Sequence, residues 1–145
     1  MSKFLKLIGL ILLTAFFNTT SFSKENFFNE ALELFKNEKY DDARFLFERN
    51  IVFNPKDSNS YLYLAKIYNH KEDQKKEEKN LDATLLIEPS NEEAILMLMK
   101  IGLEKSNYSK VRNLSKTFTQ VCKKLCDENK KILKTLENIE PKNES

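Results

Sequence analysis

Tryptophan is absent from this 145-residue chain, glycine occurs only twice and proline three times. So little glycine leaves no material for the Gly-rich loops that cradle phosphates, and so few turn residues argue against a β-sandwich with its many tight turns. Histidine occurs once, as His70, in a polar run with no nucleophile motif beside it, so neither a catalytic triad nor a ligand cluster is legible. An excess of one charge is missing too: 24 Lys plus Arg stand against 22 Asp plus Glu. Without a basic surplus the usual electrostatic footprint for nucleic acid is lacking, and no nucleic-acid partner is expected. Beyond residue 23 no apolar run reaches the ~18 residues that mark a membrane span.

What the chain does have begins with a hydrophobic leader. Lys3 and Lys6 open it, Leu5 to Phe17 is almost unbroken apolar sequence, and Ser21-Phe22-Ser23 closes it with small residues at the right spacing. That is the pattern of a secretory signal peptide over residues 1–23, cut between Ser23 and Lys24. Its two basic residues go with it, leaving 22 charges of each sign. The frequent Asn, Lys and Phe fit an AT-rich bacterial source, and the leader then places the protein in the periplasm or outside the cell. The alternative is an uncleaved leader that tethers an accessory subunit of a secretion or assembly complex to the membrane.

The remainder is organised around residues 40–55, an amphipathic stretch with Asp41 and Asp42 at its start and Pro55 at its end. Ala43, Leu46, Phe47, Ile51 and Phe53 recur at the helical period, Asn50 being a polar exception. The same pattern returns at a fixed offset. Pro89 follows Pro55 by 34 residues, and Tyr108 follows Tyr40 by twice that interval. Such a period means stacked helix pairs. Phasing on the prolines gives blocks 24–57, 58–91 and 92–125, so the first block starts where the leader ends.

Equivalent positions then line up. Phe27, Tyr61 and Ile95 open the first helices, followed by Ala31, Ala65 and Met99, then Leu34, Tyr68 and Gly102. Tyr40, Gln74 and Tyr108 open the second helices, followed by Ala43, Glu77 and Val111, then Phe47, Leu81 and Ser115. On these residues the chain resembles the tetratricopeptide repeat over about residues 24–125. Tyr40, Ala43, Phe47, Pro55, Tyr61, Leu64, Ala65, Tyr68 and Pro89 carry the likeness. Met99, Gly102, Ser115, Lys123, Glu30 and Glu77 depart from it, Glu77 where a small residue would let paired helices approach. The resemblance implies an all-α, right-handed solenoid of three helix pairs. Residues 127–139, with Ile132, Leu133, Leu136 and Ile139 on one side, suit a terminal helix that covers the last pair. The folded domain is thus expected over 24–140 with the cap at 126–140, and 141–145 as a loose tail. Capping signals are read at Asp57 or Ser58, at the Ser90/Glu93 box and at Asp127.

Cys122 and Cys126 flank the turn into that cap, where the third block lacks its proline. If the helix breaks between them, the two are within reach of a disulfide that replaces Pro as the device fixing the turn. A helix running straight through would make a relaxed bridge difficult. The sharper alternative is a thiol or metal carrier working through the same pair.

The first helix supplies the binding candidate. Phe27, Ala31 and Leu34 make one apolar stripe and Phe28, Leu32 and Phe35 a second beside it, more than one neighbouring helix covers. The resemblance puts Phe28, Leu32, Phe35, Leu62, Lys66, Asn69, Leu96, Lys100 and Leu103 on a concave groove. A helix or extended peptide is the expected guest, with a second copy of the chain or the chain's own end as the competing occupant. The expected function is a non-enzymatic adaptor in a bacterial envelope process such as secretion or outer-membrane assembly, with no cofactor, no metal and no catalytic residues.

Overall fold

The computed structural model describes residues 27–139. The proposed leader, the Ser23–Lys24 cleavage point and the tail lie outside the described residues. These form seven α-helices and no strand: α1 Phe27–Lys36, α2 Tyr40–Phe53, α3 Ser58–His70, α4 Gln74–Ile87, α5 Glu92–Glu104, α6 Tyr108–Val121 and α7 Cys126–Ile139. Each packs on the next in order, and α7 also reaches back to α5. This is a helical solenoid, with the 34-residue period carried into the backbone: α3 and α5 start 34 residues apart, as do α2, α4 and α6.

Burial follows the repeat register even where the residue type departs from it. Ala31, Ala65 and Met99 are buried, as are Phe47, Leu81 and Ser115 at the next equivalent set. Asn50, Thr84 and Phe118 share one register and are buried too. Burial of Asn50 succeeds because its side-chain amide donates to Asp57 Oδ2 at 2.7 Å and to Ser60 Oγ at 2.8 Å, while Ser60 Oγ donates to the same carboxylate at 2.6 Å. A buried polar group paired in this way avoids most of its desolvation cost.

In the third pair the packing is reversed rather than lost. Gly102 stands where Leu34 and Tyr68 stand in the other pairs, and Val111 stands where Ala43 does. A Cβ on Gly102 would lie 2.8 Å from Val111 Cγ2, so the missing side chain is the space the valine fills. Glu77, another departure, lies in the run of mixed charge over residues 71–79, a sequence pattern that implies a solvated helix face. It is instead 4% exposed, and burial pushes its carboxyl above the usual value. Asn69 Nδ2 donates to it at 3.1 Å.

Composition also shapes the turns. Within each pair the connecting turn puts one residue in the left-handed region, Glu38, Glu72 and Ser106, again 34 residues apart. The next backbone N–H closes each helix, Lys39 to Leu34 O, Asp73 to Tyr68 O and Asn107 to Gly102 O. Glycine usually takes that position, and this chain has none there to use. Asp73, Asn91 and Asn107 cap α4, α5 and α6 by accepting from the backbone N–H three residues on. The cap of α5 is therefore Asn91 and not the expected Ser90/Glu93 box. Asp57 precedes α3 but gives its carboxylate to Asn50 and Ser60 instead of to the helix end. Asp127 falls inside the first turn of α7.

Candidate binding face

The first helices of the three pairs, α1, α3 and α5, carry all nine expected groove residues, which the structure sorts into three groups. Leu62 and Leu96 are core residues, 5% and 6% exposed, and back the face rather than offer it. Phe28, Phe35 and Leu103 are partly buried and packed on the core clusters. Leu32, Lys66, Asn69 and Lys100 keep surface. Asn69 is exposed, but its amide N–H is engaged by Glu77.

Residues one repeat apart explain what this face is made of. Leu32, Lys66 and Lys100 occupy one register, an apolar position followed by two cations. Lys66 Nζ sits 2.9 Å from Glu93 Oε2 on α5 and 4.6 Å above the Tyr63 ring, so its charge is partly answered within the chain. The two phenylalanines of the second stripe are covered by an aromatic cluster. Tyr63 stands edge-on to Phe28 at 5.9 Å and to Phe35 at 5.0 Å, and stacks on Phe47 at 5.3 Å. Phe35 also meets Tyr40, whose ring lies 4.2 Å from His70. Tyr63 occupies none of the positions that carry the repeat pattern, with Asn29 and Met97 at the equivalent places. Sequence reasoning missed it for that reason, and the apolar surface left by α1 is smaller than the two-stripe count implies.

The face ends in a cleft of about 460 Å³ lined by Asn59, Leu62, Glu93, Val121, Leu125 and their neighbours. One wall is the turn between α6 and α7, bridged by the Cys122–Cys126 disulfide with Cα atoms 5.4 Å apart. The helix does break at Cys122, whose backbone is extended at φ −62° and ψ 137°. The turn is tied down from a second side. Glu92, in the first turn of α5, accepts the backbone N–H of Lys123 at 2.7 Å, of Lys124 at 3.1 Å and of Leu125 at 2.7 Å. The Leu125 N–H, with those of Lys123 and Lys124, holds the Glu92 carboxyl below its ordinary value. Among the described residues no three His, Cys, Asp or Glu side chains converge as metal ligands would.

No family model matches the sequence, and no curated protein matches it either. Solved structures do match in fold. The Yersinia enterocolitica type III secretion chaperone SycD, solved with a peptide of the translocator YopD, superposes with TM-score 0.71 at 13% identity, over 79% of this chain and 92% of that one. The Sgt2 TPR domain from Aspergillus fumigatus gives 0.65 at 13% identity, over 86% and 89%. A chain of the CopN–Scc3 complex gives 0.65 at 14% identity, over 83% and 73%. The fold is tetratricopeptide-like.

Proposed function

We propose that this chain is a non-enzymatic interaction module that takes a helix or an extended peptide on the face formed by α1, α3 and α5. The observation that carries the reading is the register Leu32, Lys66, Lys100. It crosses three successive pairs, half-buried at Leu32 and Lys66 and exposed at Lys100, and is backed by the buried Leu62 and Leu96. Stacked repeats create extended surfaces of this kind, and a guest lying across them meets a side chain from each pair. Two of the similar structures are complexes, one with a translocator peptide and one between two named proteins, which favours partner binding as the use of this fold. The leader pattern adds the periplasm or cell exterior as the place and an envelope assembly or secretion component as the partner.

A displayed peptide library panned against the oxidised protein tests the reading. Selected peptides are titrated against wild type, Leu32→Glu and Lys100→Glu by fluorescence anisotropy. Both substitutions lie at accessible positions, so the fold should persist, and affinity should fall about tenfold or more. Unchanged affinity for both variants would contradict the assignment of the face. Mass spectrometry of the mature N-terminus separates a released protein from one tethered by residues 1–23.

A further inference from the structure

We infer that the Cys122–Cys126 bridge is a redox catch on the capping helix: closed, it keeps α7 packed on α5 and α6, and a dithiol that opens it releases α7. The inference concerns the cap alone and stands whether or not the α1–α3–α5 face binds a peptide.

Three observations converge on the turn. Lys123, Lys124 and Leu125, the residues inside the bridge, include neither Pro nor Gly. Leu and Lys are good helix formers, so local sequence favours letting α6 run on into α7. Pro55 and Pro89 prevent that at the two earlier junctions, but Lys123 stands in the equivalent place here. What bends this junction is therefore not the residues inside the turn: it is the bridge across them, together with the grip of Glu92 on three consecutive backbone N–H groups.

The docking of α7 is also thin. Its buried apolar residues are Ile132 and Leu136, set among Ile95, Leu96, Met99, Val111 and Phe118, with Leu133 half-buried against the same cluster. Its buried Asn129 donates to Thr119 Oγ1 at 3.2 Å, but Asn129 Oδ1 has no partner among the described residues. A buried carbonyl oxygen left in that condition works against the docked state. A helix held by two buried apolar side chains and the half-buried Leu133, and opposed by an orphan acceptor, depends on the constraint at its root.

The catch is reachable, because the three bridged residues are exposed and both cysteines are only partly buried. A thiolate of the dithiol attacks one cysteine sulfur, and the bonding pair of the S–S link leaves on the other, which takes up a proton. The second thiol of the reductant then displaces the first cysteine and closes the reductant's own disulfide. Two electrons and two protons have passed to Cys122 and Cys126. Leu125, inside the bridged turn, lines the cleft beside Val121, so opening the bridge also loosens one wall at the end of the candidate binding face.

Hydrogen exchange read by mass spectrometry decides the matter on the intact chain, oxidised, reduced with dithiothreitol, and as Cys122→Ser/Cys126→Ser. Amides of residues 126–139 should exchange about tenfold faster or more in the reduced and double-serine forms, while those of residues 40–53 keep their protection. Equal protection of α7 in all three forms would overturn the inference. So would a loss spread evenly over every helix, which would make the bridge a general brace. Glu92→Gln in the oxidised protein should raise exchange only around residues 122–128. If it frees α7 as fully as reduction does, the carboxylate and not the bridge is the catch.

Discussion

The junction after α2 and the junction after α6 perform the same task, turning the chain from one helix pair to the next, by opposite means. After α2 the work is local: Pro55 ends the helix and Asn50, Asp57 and Ser60 bond to one another across the bend. After α6 no residue of the turn itself stops the helix, and a covalent bridge across the turn plus a carboxylate from α5 hold the bend instead. The register Asn50, Thr84, Phe118 records the same change, from a buried amide to a buried ring. The first junction is held by residues within ten positions of one another, whereas the last adds to its short bridge a carboxylate from 31 to 33 residues away.

The comparison is broken most violently at that register. Phe118→Ala empties a fully buried site and should cost about 3–5 kcal/mol, read as a shift in the urea midpoint. Asn50→Ala should cost about 1–3 kcal/mol, because Asp57 and Ser60 lose their amide donor. Next come the turn devices themselves. Cys122→Ser/Cys126→Ser should lose roughly 2 kcal/mol, the chain-entropy value for so short a loop. Pro55→Ala should lose less than about 1 kcal/mol, since the polar cluster remains. A separate test sits inside the third pair. Gly102→Ala should destabilise by about 1 kcal/mol or more despite its better helix propensity, because its methyl meets Val111. The double variant Gly102→Ala/Val111→Ala should cost less than the sum of the single changes.

Acid discriminates the junctions without mutation. Since the Glu92 carboxyl is held below its ordinary value, its contribution is complete above that value and is lost as pH falls through the lowered one. Exchange at the N–H groups of residues 123–125 should therefore rise as pH drops through the acid range, after correction for intrinsic rates, and Glu92→Gln should abolish that dependence. The smallest expected change is a gain. Ser106→Gly relieves a left-handed residue and should add about 0.5–1 kcal/mol in thermal unfolding.

Much of this architecture is legible in the residues because a period of 34 is a strong constraint. Pro55, Pro89, Tyr40 and Tyr108 set the phase, and the helices begin and end in step with it. The bridge is legible as well, from two cysteines flanking a turn that lacks its proline. The rest is hidden for physical reasons. Gly102 and Val111 read as two departures from the pattern, yet they compensate each other across a helix contact that only coordinates reveal. Glu92 acts on a turn 31 to 33 residues away, a distance at which sequence carries no signal for a hydrogen bond. The face is the least legible part. Apolar spacing marks Phe28 and Phe35 as spare surface, but Tyr63 reaches over from α3 and covers much of it.

The central claim is that the α1–α3–α5 face, and not the outer surface of the second helices, receives the partner. A photo-crosslinking residue placed in turn at Leu32 and Lys100, and at Asp82 and Thr117 on the second helices, tests it in cells making the full chain. The account predicts a discrete crosslinked product from Leu32 and Lys100 that is absent from Asp82 and Thr117. Crosslinks from Asp82 and Thr117 with none from Leu32 and Lys100 would contradict it.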